Sequence, residues 1–496
     1  MASELGTVIS TFEGPNTRKF SFVIKKGPQV RRGQFVSVKV EGSTLIARVA
    51  DIRKTNRYFM NPESVKSIES VQSMAGSFPT WEWEYLVADC EAIGVFDGNG
   101  FADSNFPPSP GDSIVEPDPK ILEKFFGFDR AGIFMGRLKH HDIEVRLNPT
   151  RLLQKHLALL SISGGGKSYS TAVLIEELLD REIKNGTLAV IVLDTHGEYT
   201  SFANDKTYAA ITRVFPISEF RIGMPNLSPY RIAEWTSLSG PQERSLSKIL
   251  NSLGRKSYSI SDVISAVENS DTAASTKDVL ITVLEELRRT GLFGVADYPP
   301  LEEMAQLGRL CIMDLSETVS SKKRQLAVAY TAGKLFEARR NGIIPPFLLV
   351  IEEAHQYAPE KARREHAIAK NIISTIAREG RKFGACLCLI SQRPVQLSAT
   401  VLSQCNTNII MRVRNPYDLD HIGESSEGIS RDVLDQISSL GVGTGLIVGE
   451  ATNFPLFVKI RDRRSRQPDN AMPLEKLSIK WHEGFKKKSE DAKAFM

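Results

Sequence analysis

The stretch His156–Gly186, HLALLSISGGGKSYSTAVLIEELLDREIKNG, limits what this chain can fold into more than any other. An apolar run leads into three consecutive glycines, Lys167 and Ser168, and Ala172, Ile175, Leu178, Leu179 and Ile183 then recur at helical spacing as far as Asn185-Gly186. A glycine loop between a strand and a helix points its backbone N–H groups at an anion, and the positive end of the helix adds to their pull. The pattern departs from G-x-x-x-x-G-K-[ST] at its first position, where Ser161 stands. That position lies where the strand ends, away from the closest approach to phosphate, so a small serine is tolerable.

The loop reads as a nucleoside triphosphate site built from Ser163, Gly164, Gly165, Gly166, Lys167, Ser168 and Tyr169. Lys167 is expected to reach the β- and γ-phosphates and the Ser168 hydroxyl to bind Mg2+, which makes ATP and Mg2+ the expected cofactors. No N-K-x-D guanine-reading motif is present, which disfavours GTP.

Such a loop needs an acidic partner on a neighbouring strand. PFLLVIEEAHQYAP supplies it, with Glu352 and Glu353 directly after the apolar run Phe347–Ile351. Glu352 is the candidate to hold Mg2+, through water because its side chain is longer than the usual aspartate. Glu353 is the candidate to polarise the attacking water. CLCLISQRP ends another strand at Ser391-Gln392, where the Gln392 amide can sense the γ-phosphate. IVLDTHGEY ends a third with Asp194, His196 and Glu198. These three are supporting residues or metal ligands, although one turn rarely supplies a complete metal site. In IAREGRKFG, Arg378, Arg381 and Lys382 follow a helix expected over 369–377 and precede a strand. Arg381 and Arg378 are candidates for a guanidinium offered to the next subunit's γ-phosphate; pairing with a carboxylate of their own chain is the alternative.

The near-continuous apolar runs TLAVIVLD, RLCIMDL, PFLLVIEE, GACLCLIS and TNIIMRV demand a parallel sheet covered on both faces. The fold class is therefore α/β, a RecA-like P-loop NTPase core. Residues 1–122 instead alternate apolar and polar residues, with a hairpin expected at Glu41-Gly42-Ser43, and read as a small β-barrel. Helix starts at Ser228-Pro229, Ser259-x-x-Asp262 and Ser275-x-x-Asp278 mark 203–306 as an all-helical insertion between core segments 123–202 and 307–467. Residues 468–496 form a charged tail, and GTGLIVGEA with FPLFVKIRD forms a β pair before it.

The chain is 41% hydrophobic and 25% charged, as globular proteins are. No apolar run approaches the roughly 18 residues of a membrane span, and MASELGTV has no signal-peptide character, so a cytoplasmic protein free of membrane is expected. Five cysteines without a C-x-x-C pair read as buried free thiols. A net charge of +4 permits a nucleic-acid partner without requiring one.

Taken in order behind a β-barrel, SGGGKS, LDTHGEY, VIEEAHQYAP, AREGRKFG, ISQRP and VLSQCNTNIIMRVRNPYD resemble the HerA helicase/translocase family, within the FtsK–HerA group of hexameric DNA pumps. The resemblance covers nearly the whole chain, and the missing first glycine and the Glu-Glu pair are tolerated within it. It implies a homohexameric ring that hydrolyses ATP to move along double-stranded DNA. Archaeal members act with the nuclease NurA on DNA ends, and the barrel, of the HAS type, is the implied docking surface. DNA contacts in the pore would come from basic loops: Lys361, Arg363 and Arg364, and less strongly Lys322 and Lys323. Two alternatives stay open, a VirB4-like transfer ATPase with a similar core and a nucleotide-gated scaffold for an effector.

Overall fold

The structure, a computed structural model, describes residues 3–10, 14–27, 29–56, 59, 63, 65–66, 83–98, 100–236, 238–254, 257–363, 366–426, 429–467 and 473–494. The chain divides into two compact units. One comprises Met1–Asn148, Gly428–Leu440 and Thr444–Arg461, the other Pro149–Glu427, Gly441–Gly443 and Asp462–Met496.

The first unit opens with β1 (Glu4–Ile9), β2 (Lys19–Ile24), β3 (Phe35–Val40) and β4 (Ser43–Asn56). β5 (Glu84–Phe96), β6 (Phe101–Ala102) and β7 (Ser113–Val115) follow. The order β2-β1-β7-β3-β4-β5 closes on itself through a β2–β5 pairing, giving a six-stranded antiparallel barrel with β6 attached to β5. Alternation sends Phe20, Phe22 and Ile24 of β2 inward, where they meet Val36, Val38, Leu45, Ala47 and Ile114. The expected hairpin joins β3 to β4. Glu41 and Gly42 both take positive φ (48° and 81°) between paired Val40 and Ser43, as a two-residue turn between twisted strands requires. The same unit holds an antiparallel sheet of β8 (Ile133–Leu138), β9 (Glu144–Leu147), β19 (Thr444–Gly449) and β20 (Leu456–Ile460), in the order β19-β20-β8-β9.

The second unit is built on seven parallel strands: β10 (Leu157–Leu160), β11 (Ala189–Asp194), β12 (Thr212–Pro216), β15 (Leu310–Asp314), β16 (Phe347–Ile351), β17 (Ala385–Ser391) and β18 (Thr407–Ile410). Their order is β12-β15-β11-β16-β17-β10-β18. Every residue of β10, β11, β16 and β17 is buried, which is why these runs carry so little polarity. Short β13 (Ile222–Gly223) and β14 (Phe293–Gly294) pair separately. Within 203–306, β12 supplies the edge of the large sheet, and the helices Pro229–Thr236, Gly240–Leu253, Ile260–Glu268 and Ala274–Arg289 follow, with the short helix Leu301–Met304 at the end. Ser259 and Asp262 cap the third of these reciprocally. Ser275 caps nothing, because its helix has already begun at Ala274.

The helix after the glycine loop, Lys167–Leu179, stops before Asn185-Gly186. Asp180 there accepts from the Tyr208 hydroxyl at 3.2 Å, and Arg181 donates to the Gly186 carbonyl at 2.9 Å, folding the chain into a separate short turn. All five cysteines are buried free thiols, and burial pushes Cys311, Cys386 and Cys388 up to about 12. Among the described residues no helix is long and apolar enough to cross a membrane.

One half-buried carboxylate joins the inserted segment to the core. Asp297 accepts from the Gly223 N–H (2.7 Å), Asn226 Nδ2 (2.9 Å), the Tyr330 hydroxyl (2.6 Å) and Lys334 Nζ (2.7 Å). Burial alone would raise its pKa, but Lys334, Tyr330 and Gly223 outweigh it and hold the carboxyl below its ordinary range. Its stabilisation is therefore complete above an unfolded pKa of about 3.9 and fades as the pH falls below it. Asp297→Asn should cost about 3 kcal/mol at neutral pH by stranding Lys334. Urea unfolding followed by helical signal checks this, and the gap to wild type should narrow toward pH ~2.

Candidate nucleotide site

Parallel register brings four strand ends to one edge, those of β10 and β17 two residues beyond that of β16 and one beyond that of β11. Leu160 of β10 pairs with Ser391 of β17, Leu389 of β17 with Ile351 of β16, and Ile351 with Leu193 of β11. The residues just beyond these pairs therefore meet at one edge. They are the glycine loop, Gln392, Glu352 with Glu353, and Asp194.

Backbone bonds from Ser161 N to the Ser391 carbonyl (3.2 Å) and from Ile162 N to the Arg412 carbonyl (3.1 Å) anchor the loop between β17 and the end of β18. Ser161 is fully buried, and its hydroxyl donates to the carbonyls of Ile162 (3.1 Å) and Arg412 (3.4 Å). It fills the space that a side chain on Gly165 would need, since a Cβ there would lie 2.0 Å from Ser161 Oγ. Gly164 and Gly166 take φ of 71° and 100°, which favours glycine at both. Ser163 and Gly164 are exposed at the loop's tip. The Ser168 hydroxyl makes no hydrogen bond with the described residues, whereas the Tyr169 hydroxyl accepts from Arg463 N at 2.6 Å.

Glu353 sits at φ 49° and is almost fully buried. Holding a non-glycine residue there costs roughly 1–3 kcal/mol and is met most often at functional sites. Gln392 Nε2 donates to its Oε1, and Lys167 Nζ stands 3.9 Å from the same oxygen. His355 Nδ1 lies 3.3 Å from Glu353 Oε2 and 3.2 Å from Ser391 Oγ. Burial lowers the pKa of Lys167, and the carboxylates of Glu353, Glu198 and Glu352 oppose it. His355 was not assigned from the chain; its place two residues after Glu353 is the only signal for it.

Glu352 faces the other way. Its Oε2 accepts from the His196 N–H at 3.0 Å, and its carboxyl is hydrogen-bonded to that of Asp194. Burial first, then the charges of Asp194 and Glu198, push the Glu352 pKa well up. Asp194 also accepts from the N–H groups of Glu198 (3.0 Å) and Tyr199 (2.8 Å), so it pins the turn beyond β11. The His196 side chain is exposed and contributes only its backbone. Among the described residues no group of three or more His, Cys, Asp or Glu could hold a metal, so Asp194, His196 and Glu198 do not form a metal cluster. Oxygen donors for Mg2+ are nonetheless at hand. They are the unpartnered Ser168 hydroxyl, the Glu352 carboxyl, and Glu198 Oε2, which is buried without a hydrogen-bond partner.

Arg378 and Arg381 lie at the opposite edge. They precede β17, whose seven residues at about 3.3 Å each set them roughly 20 Å from their own glycine loop. Both are exposed, and neither pairs with a carboxylate among the described residues; Arg378 Nε bonds only to Ser374 O of its own helix, at 3.3 Å. Lys361 and Arg363 are exposed between the helices Ala354–Tyr357 and Lys370–Glu379, and Arg364 lies outside the described residues. Lys322 is paired with Glu286 at 2.5 Å on a separate element, next to Lys323, whose pKa is lowered by burial and by Arg221.

The packing of Ser161 against Gly165 yields a directional test. Gly165→Ala should abolish binding of a fluorescent ATP analogue, and adding Ser161→Gly should restore part of it, while Ser161→Gly alone keeps it.

A family model described as helicase HerA, central domain, matches residues 133–335. A probable DNA double-strand break repair helicase HerA of Methanocaldococcus jannaschii is 30% identical over 76% of this chain and 85% of its own length. The DNA double-strand break repair helicase HerA of Pyrococcus furiosus is 26% identical over 89% of each chain. VirB4 of Thermoanaerobacter pseudethanolicus superposes with a TM-score of 0.51 at 13% identity, over 68% of this chain and 98% of that one, so the two share a core fold. With its motifs assembled at one sheet edge and a relative at 30% identity across most of both chains, the protein belongs to the HerA family of P-loop ATPase helicases.

Proposed function

We propose that this HerA-family ATPase moves double-stranded DNA through a homohexameric ring in the cytoplasm, beside a NurA-like nuclease docked on its barrel, in processing DNA ends. The two archaeal relatives, named as double-strand break repair helicases, support the substrate and the setting. The observation that carries the reading is the split of the site. The phosphate loop and the acids lie at one edge of the sheet, and two arginines without a carboxylate partner among the described residues lie roughly 20 Å away at the other, out of reach of the nucleotide on their own loop.

In this reading the loop amides from Ser163 to Ser168, with Tyr169 following, hold the phosphates of ATP, and Lys167 bridges the β- and γ-groups. Ser168, and Glu352 through water, would hold Mg2+, which when bound neutralises phosphate charge. Glu353 receives the proton of the attacking water, oriented by Gln392 and His355, while Gln392 reports the γ-phosphate to it. The incoming phosphate draws Lys167 away from Glu353 and frees that carboxylate for the water. Arg381, with Arg378 beside it, stabilises the charge that develops in the neighbour's transition state. Lys361, Arg363 and Arg364 track DNA phosphates in the pore, with Lys323 secondary and Lys322 already engaged by Glu286. A VirB4-like transfer role draws on fold likeness alone and predicts no stimulation by linear duplex.

Linear duplex DNA should stimulate ATP turnover by the wild type and not by Lys167→Ala. Arg381→Ala should keep the assembly yet lose at least about 10³-fold in turnover. Mixing it with Glu353→Gln subunits should restore activity above the sum of the two, and restoration at no ratio would sink action in trans. Lys361→Ala with Arg363→Ala should reduce the salt slope of DNA binding by about two.

A further inference from the structure

His156 is used by none of the chemistry above, yet both its ring nitrogens are engaged. It lies in the turn before β10 at φ 62°, almost fully buried. The Leu387 N–H of β17 donates to its Nδ1 at 3.0 Å, so Nε2 carries the proton and donates to the Ala377 carbonyl at 3.0 Å. Burial keeps the ring neutral, with its pKa down to about 4.

Each bond fills a gap in the backbone ladder. β10 begins only at Leu157, which pairs with Cys388, so Leu387 has no strand residue of β10 beside it. Ala377 lies in the last turn of the helix Lys370–Glu379, where carbonyls have no intrahelical partner. The imidazole thus joins the end of that helix to the start of β17, and the turn between these two points carries Arg378 and Arg381. Gly380, in the middle of the turn, packs on the ring: a Cβ there would lie 3.3 Å from His156 Cε1 and 2.4 Å from the Ala385 carbonyl.

We infer that His156 is a positioning residue that fixes the stance of the arginines this subunit offers its neighbour, and that it does so through the strand that leads into its own phosphate loop. The inference rests on the trans reading of Arg381 given above. Of the two bonds, the one to Ala377 sets the arginines, because it holds the last turn of the helix from which Arg378 projects.

Asparagine and glutamine separate the two bonds. An Asn amide oxygen falls near the place of Nδ1 and can keep the Leu387 bond, whereas a Gln amide nitrogen falls near Nε2 and can keep the Ala377 bond. His156→Asn should lower DNA-stimulated kcat by about tenfold or more through misplacement of the arginines, with ATP-analogue affinity unchanged. His156→Gln should turn over close to wild type. His156→Asn mixed with Glu353→Gln should exceed the sum of the separate activities, since each supplies what the other lacks.

Equal losses in both variants, a loss of nucleotide affinity, or failure of both to assemble would assign the ring to the scaffold alone and overturn the inference. So would merely additive mixtures of His156→Asn in an experiment where Arg381→Ala with Glu353→Gln does complement. If that control pair fails as well, the trans reading falls first and the inference with it.

Discussion

Parallel strands that end at one edge of the sheet are the constraint on which the nucleotide site depends. In such a sheet the residues that close each apolar run gather at one edge, and those that are polar there are still largely buried and must find partners. Ser161, Asp194, Glu352 and Gln392 occupy that position on β10, β11, β16 and β17. No loop has to be long or specially shaped to gather them, since the hydrogen-bond ladder sets Asp194 level with Glu352 and Ser161 level with Gln392, two residues further along. The same geometry separates them from Arg378 and Arg381, which sit before β17 rather than after it.

Charge is unbalanced at this edge. Lys167 stands beside Glu353 and feels the charges of Glu198 and Glu352, and the Asp194–Glu352 pair is held together by a proton that burial and mutual repulsion favour. A triphosphate entering such a place adds further negative charge, so it needs cations from elsewhere. The loop amides and Lys167 supply part, oxygen donors suited to Mg2+ stand ready, and the arginines of another copy would complete the set. Glu353 waits among Lys167, Gln392 and His355 in a strained backbone conformation, which fixes its direction before any ligand arrives.

Much of this was legible in the chain because burial on both faces leaves an unbroken apolar signature. TLAVIVLD, PFLLVIEE and GACLCLIS all became central strands, and the first polar residues after them became the site. β12 was not legible: it is an edge strand in which exposed Arg213 interrupts the apolar run, so TRVFP looked like part of a helical segment. The helix after the loop ends early where Asp180 meets Tyr208, 28 residues on, which no local pattern reveals, while Arg181 folds back on the Gly186 carbonyl close by. Glu353 and His156 in left-handed backbone were equally hidden, since nothing in residue type announces a positive φ away from glycine. The arginines were noticed from their order along the chain, but their distance from the loop follows only from the direction of β17.

The five cysteines have a practical consequence. All are enclosed, and burial drives the thiols of all five, Cys90, Cys311, Cys386, Cys388 and Cys405, far toward the protonated form. Thiolate is the species that attacks maleimides and disulfides, so the folded chain offers such reagents almost no native nucleophile. A single sulfhydryl engineered onto the surface would carry a fluorophore alone, without first stripping the protein of its own sulfur.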